Sequence, residues 1–229
     1  MALLALVCLS REGLAQKKRW VNKNNPTYDD RKITYGFLIG LHTTTYQIKY
    51  ADRFVTQDFD TVYTIDPGWS PGFSLGFIVN YRVTDLLDFR VTPKVAFYEN
   101  TLHYVYTDDT PSETKLVETT MVELPFLLKY KSERRANARM YMIGGFKPAL
   151  EASGKKDTED PSSNLGITRM NLSIEAGFGF DFYYPLFKFS PEIRFSRGLV
   201  NILDNTTNKY GQPLQRVNTN TITLYLLFQ

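Results

Sequence analysis

Arg90, Lys94, Glu123, Lys129, Arg139, Lys147, Glu151, Glu175, Asp181, Lys188, Glu192 and Arg194 fall at even spacings within five stretches of alternating sequence. On a strand, even spacing puts side chains on one face. Seven basic and five acidic groups on a shared face are suited to pairing with each other. No catalytic or metal-binding motif competes with that chemistry. His42 has the parity of the charges and His103 the opposite parity, and they stand on different stretches. There is no HExxH, no CxxC, no Gly-rich phosphate loop before a helix and no nucleophile elbow. Asp58, Asp60, Asp157, Glu159 and Asp160 lie in polar connections without EF-hand spacing, which reads as solvated loop. The chain is expected to be non-enzymatic, with no cofactor and no bound metal.

The elements that must position these charges are strands. Phe187, Phe189, Pro191, Ile193 and Phe195 interleave with Lys188, Ser190, Glu192, Arg194 and Ser196. Leu172, Ile174, Ala176, Phe178, Phe180 and Phe182 interleave with Ser173, Glu175, Gly177, Gly179 and Asp181. Period two means two faces in different surroundings. The pattern predicts eight strands, near 33–48, 71–82, 87–105, 116–130, 138–152, 167–183, 187–198 and 219–229. Connections alternate between long (near 49–70, 106–115, 153–166 and 199–218) and short (near 83–86, 131–137 and 184–186). With an even strand number, both ends of the strand series lie at the short-turn side.

Three features place lipid, not a protein core, against the apolar face. The apolar parity carries Tyr35, Phe37, Ile39, Leu41, Phe73, Phe77, Phe89, Phe97, Leu124, Phe126, Leu128 and more, too much volume for the interior of a small barrel. Gly36, Gly40, Gly72, Gly76, Gly145, Gly177 and Gly179 share the parity of the charges, where a crowded interior needs room for long side chains opposite. Tyr81, Tyr130 and Tyr184 lie on the apolar parity beside the three short turns, where an interfacial aromatic girdle would sit. The charges then face a lumen, because a charge facing lipid at mid-depth costs about 2–4 kcal/mol. Glu99 is the exception and falls toward the outer end of its strand. The expected fold is all-β, an eight-stranded antiparallel transmembrane β-barrel with a lumen plugged by ion pairs. Pro93, Pro125, Pro148 and Pro191 interrupt strands and are expected to bulge locally. Leu224, Leu226 and Phe228 give the last strand its lipid face and a near-final Phe, resembling the signal read by the barrel-assembly machinery.

Three domains are expected. Residues 1–15 read as a secretory signal cleaved after Ala15, without a basic n-region, so that the true start of the signal is left open. Residues 16–32 read as a flexible periplasmic lead-in and 33–229 as the barrel. The only cysteine, Cys8, lies in the signal. A net charge of +3 with no basic helix argues against nucleic acid. No apolar run reaches the ~18 residues of a transmembrane helix, a test that half-apolar barrel strands do not face.

The stretches PGFSLGF (71–77), LLDFRVTPKVAFYENTLHY (86–104), VELPFLLKYKSERRANARMYMIGGFK (122–147) and GFGFDFYYPLFKFSPEIRFSRGLVNIL (177–203) resemble the PorT family of outer-membrane barrels. ELPFLLKYKS and FKFSPEIRFSRGL carry the most specific likeness. The resemblance implies location in the bacterial outer membrane and a part in type IX secretion, which exports proteins bearing a C-terminal sorting domain and serves gliding. The partners it implies are outer-membrane lipid, the barrel-assembly machinery during insertion and other type IX components. It implies no catalytic residues. An adhesion or structural barrel binding an external ligand through its long loops is the alternative. A lipid-modifying enzyme would need a His/Ser-type constellation, of which no local motif stands out.

Overall fold

A computed structural model describes residues 23–51, 62–106, 113–152, 168, 170–203 and 214–229. Apart from a 3-10 turn at Tyr28–Asp30, the regular structure of these residues is antiparallel sheet. The strands are β1 (Ile33–Tyr50), β2 (Val62–Pro67), β3 (Ser70–Arg82), β4 (Leu87–Val91), β5 (Lys94–Tyr106), β6 (Glu113–Glu123), β7 (Phe126–Lys131), β8 (Ala138–Glu151), β9 (Met170–Tyr183), β10 (Lys188–Gly198) and β11 (Leu214–Phe228). β1 pairs with β3, β3 with β4 and β5, β4 with β7, β5 with β6, β6 and β7 with β8, β8 with β9, β9 with β10, β10 with β11 and β11 with β1, so the sheet closes on itself.

Eleven segments make a ring of eight, because β4 with β5, and β6 with β7, are single strands crossed by proline, and β2 lies outside the ring. The register shows this. Gly76 pairs with Lys94 and Val79 with Val91, one alignment on both sides of Pro93. Lys94 with Glu123 and Val91 with Phe126 keep one alignment past Pro93 and Pro125. The expected bulges are therefore absent at these two prolines. A proline deletes one donor but keeps its acceptor. Phe77 N–H donates to the Pro93 carbonyl at 2.9 Å, Thr92 N–H to Pro125 at 3.2 Å, and Leu124 N–H to Pro148 at 3.0 Å. The prolines thus form a stair across adjacent strands, and the ladder loses donors without slipping. Pro148 and Pro191 lie inside continuous strands.

Strand positions otherwise follow the alternation, with two differences. β11 begins at Leu214, ahead of the expected 219, and β2 lies in what reads as a long connection. Among the described residues β2 pairs only with β5, through Ile65–Tyr104 and Pro67–Leu102, outside the closed ring. β1, with 18 residues, is longer than the roughly 9–11 residues that span a bilayer. The barrel wall therefore continues past the membrane at the long-loop end.

The two faces are inverted relative to a soluble barrel. Phe77 is 70 % exposed, Leu128 53 % and Phe178 50 %, while Arg90 is fully buried and Glu192 and Arg194 are each 1 % exposed. On the outside, cross-strand aromatic pairs stack, with ring centroids 5.0 Å apart for Phe37–Phe228, 4.8 Å for Phe73–Phe97 and 5.3 Å for Phe126–Phe146. Inside, glycines stand directly across from rings. Gly40 pairs with Tyr225, and Gly179 with Tyr141. A Cβ on Gly40 would lie 2.6 Å from the Tyr225 ring, and one on Gly179 would lie 2.6 Å from Tyr141 Cζ. These glycines make room for rings that cross the lumen.

Leu128→Arg is expected to lower stability by about 2–4 kcal/mol in denaturant titrations in phospholipid vesicles. A loss under about 1 kcal/mol would mean that this face does not meet hydrocarbon.

Candidate functional site

The charged parity of five strands converges on the barrel axis. Toward the long-loop end, Glu123 on β6 accepts from Lys147 on β8 at 2.9 Å and from the Tyr98 hydroxyl at 2.7 Å, with Lys94 3.1 Å away. Lys147 and Lys94 also face Glu175 on β9, at 3.6 and 3.9 Å. Arg194 on β10 bridges downward, holding Glu175 at 3.3 Å through one nitrogen and Glu192 through Nε. Glu192 then takes Arg90 at 2.8 Å and the Tyr141 hydroxyl at 2.6 Å. The chain Lys147–Glu175–Arg194–Glu192–Arg90 is continuous from β8 to β4.

A second cluster lies toward the short turns. Asp181 accepts from Lys129 at 2.7 Å, Arg139 at 3.0 Å and the Ser190 hydroxyl at 2.7 Å. The Tyr141 ring joins the clusters, with Lys129 Nζ 3.6 Å from its centroid and Arg90 on the same ring at 5.5 Å. Each buried charge here has an opposite charge or a hydroxyl against it, as a low-dielectric interior demands.

Of the twelve ionisable residues predicted for the lumen, ten belong to these two clusters. Lys188 is buried, but its ammonium lies 4.6 Å from the Tyr28 ring centroid. Glu151 is half-buried at the long-loop end, lining a cavity of about 40 Å³ with Tyr46, Asn100 and Asn171. Tyr81, Tyr130 and Tyr184 are exposed beside the short turns, and Tyr184 stacks on Phe187 with centroids 4.9 Å apart. Leu224 is exposed on the outer wall, and Leu226 and Phe228 are half-exposed there. Glu99 is exposed on the outer side, in register with Glu118. His42 is buried, its ring 4.5 Å from that of Tyr98, while His103 is exposed.

Several lumen residues lie outside the predicted twelve. Tyr98, Tyr141 and Tyr225 supply rings and hydroxyls to the charges, with Lys94 bonded to the Tyr225 hydroxyl. Asp88 and Lys131 form a further ion pair at 2.5 Å. All but Tyr225 have charged neighbours at even spacing, so the same parity rule finds them. Leu38, Ile78, Tyr225 and Leu227 form an apolar patch within the lumen. These four residues are apolar or, for Tyr225, lack a charged neighbour at even spacing, so the pattern of charges does not single them out.

The lead-in expected to be flexible makes specific contacts over 23–32. Tyr28 is buried and meets Tyr183 edge-on, and Asp29 pairs with Arg139 at 2.9 Å and accepts from the Tyr183 hydroxyl at 2.9 Å. Arg134 in the turn before β8 bonds the Asn24 carbonyl and faces Asp29 at 3.5 Å. The segment lies across the short-turn mouth because an aromatic and a carboxylate find there a ring and two guanidinium groups. Burial raises the Asp29 pKa, but Arg139, Tyr183 and Arg134 outweigh it and hold the carboxyl below the ordinary aspartate value. The remaining lead-in positions and the proposed signal, 1–22 together, lie outside the described residues.

A closed antiparallel ring with an apolar exterior and an ion-paired interior defines a transmembrane β-barrel. The family model described as "Outer membrane protein beta-barrel domain" matches residues 14–204, and the chain belongs to that family. It is a protein of the bacterial outer membrane. No curated protein matches the chain. Among solved structures, it is similar to the outer membrane protein OprG from Pseudomonas aeruginosa at 13 % identity, covering 86 % of this chain and 94 % of that one with a TM-score of 0.45. Neisserial surface protein A matches at 9 % identity, 86 % and 98 % coverage and a TM-score of 0.43. Ail, the attachment invasion locus protein of Yersinia pestis, matches at 14 %, 85 % and 96 %, with a TM-score of 0.34.

Asp181→Asn leaves Lys129 buried against a neutral amide and Arg139 with Asp29 alone, and is expected to lower stability by about 3–5 kcal/mol in a denaturant titration. An unchanged midpoint would mean that water reaches the pair. Because the Asp29 pKa is depressed in the folded state, its contribution is present above the unfolded value of about 3.9 and lost as pH falls through the lower folded value. Asp29→Asn is expected to remove that part of the acid dependence, read as unfolding midpoint against pH. Identical profiles would mean that the docked segment contributes nothing.

Proposed function

We propose that this barrel is a non-enzymatic accessory component of the type IX secretion and gliding machinery, acting by contact with other components and not as the conduit. The observation that carries this reading is the continuous ion network across the lumen. A polypeptide passing through would separate Glu192 from Arg90 and Glu175 from Arg194, and each broken buried pair costs about 3–5 kcal/mol. A plugged barrel is left with its outer wall and two rims as working surfaces.

The assignment to type IX secretion is supported by the resemblance to the PorT family. Its two most specific segments, ELPFLLKYKS and FKFSPEIRFSRGL, hold Glu123, Lys129, Lys188, Glu192 and Arg194 of the lumen. The expected partners are outer-membrane lipid, the barrel-assembly machinery reading the strand that carries Leu224, Leu226 and Phe228, and other secretion components, with no nucleic acid. The length of β1 and the added β2 favour a second reading, an adhesion barrel that presents its long-loop end to an external ligand.

Deleting the gene is expected to abolish export of proteins that carry the C-terminal sorting domain. Normal export with altered surface attachment would favour adhesion, and altered lipid A by mass spectrometry would favour an enzyme. In planar bilayers the purified barrel is expected to show no large, stable conductance. A reproducible open pore would overturn the plugged reading.

A further inference from the structure

Lys188 differs from the other lumen cations. Arg90 has Glu192 at 2.8 Å, Lys94 has Glu123 at 3.1 Å, Lys129 has Asp181 at 2.7 Å, and Lys147 has Glu123 at 2.9 Å. Lys131 has Asp88 at 2.5 Å, Arg139 has Asp181 at 3.0 Å, and Arg194 has Glu175 at 3.3 Å. Lys188 is 3 % exposed, and among the described residues it has no carboxylate within ion-pair distance and no side-chain hydrogen bond. Asp181, the nearby anion that feels its charge, already accepts from Lys129, Arg139 and Ser190. A buried ammonium with a tyrosine ring against it and only a shared anion nearby gains from a further anion.

The space beside Lys188 is built for one. A cavity of about 20 Å³ at the short-turn mouth is lined by Arg31, Lys32, Arg82, Lys131, Arg139 and Lys188. Its two carboxylates are already engaged, Asp29 by Arg139 and Arg134 and Asp88 by Lys131. Arg82 is taken by Asp85 and the Asp29 carbonyl. That leaves Lys188 inside with Arg31 and Lys32 exposed at the rim. Since a single water needs about 10–15 Å³, the cavity takes one or two oxygen atoms and not a whole ligand. The geometry points to a phosphate oxyanion held at the periplasmic mouth, with an oxygen reaching in to Lys188 and the remainder against Arg31 and Lys32. The group would come from a phospholipid headgroup of the periplasmic leaflet or from free phosphate. This site stands independently of any role in secretion.

The test uses the full chain in maltoside micelles, which contain no phosphate. Inorganic phosphate is titrated against chloride at constant ionic strength, and in a second arm phosphatidylglycerol is added to the micelles. The readouts are the thermal midpoint and the apparent affinity, since a ligand that binds only the folded state raises the midpoint. The wild-type midpoint is expected to rise. Response to both sources assigns the free oxyanion as sufficient, and response to phosphatidylglycerol alone assigns the headgroup. Lys188→Met is expected to weaken apparent affinity about tenfold, the loss of one charge-assisted hydrogen bond, while Lys188→Arg retains binding. If Lys188→Met does not fold, the rim variant Arg31→Gln/Lys32→Gln is expected to weaken the same response. A wild-type midpoint indifferent to both sources, or variants that respond as wild type does, would overturn the proposal.

Discussion

The structure depends on the compensation of charge that water cannot reach. Glu192, Glu175, Glu123 and Asp181 each meet two or more donors, and Arg194 and Lys147 each bridge two carboxylates. A barrel with apolar side chains turned outward must place its polar residues inside. A narrow interior stable without bulk water must pair them. The glycines opposite Tyr141 and Tyr225 follow from the same demand, because the rings that carry hydroxyls to the network need empty space across the strand.

Period two made most of this legible. Once Glu192 and Arg194 share a face with Glu175, Asp181 and Arg90, the outward direction of Phe178 and Leu128 follows from volume alone. The rule failed where its premises failed. Apolar residues on the inner parity, such as Leu38 on β1 and Leu227 on β11, carry no charge to mark them as lumen residues. Prolines look like interruptions in one dimension. In the sheet, three of their carbonyls accept bonds from neighbouring strands and hold register. β2 has too few residues for a periodic signal and owes its form to β5. Tyr28 and Asp29 sit in a polar stretch that resembles a tail, and only tertiary contact with Tyr183 and Arg139 reveals otherwise.

The two ends of the barrel differ in kind. The short-turn mouth is covered by residues 23–32 and carries the surplus positive charge at Lys188, Arg31 and Lys32. The long-loop end carries the strands beyond the membrane and a small polar cavity above the network. The ion network lies between these two ends. That division suits a protein that presents surfaces more than it suits one that conducts.

The inverted arrangement of faces can be measured without altering a residue. In perdeuterated detergent with protonated phospholipid, nuclear Overhauser transfer from acyl-chain protons should reach Phe178, Leu128 and Leu224 and leave Glu192 and Arg194 silent. Transfer to Arg194, or silence at Phe178 together with water contact there, would contradict the account.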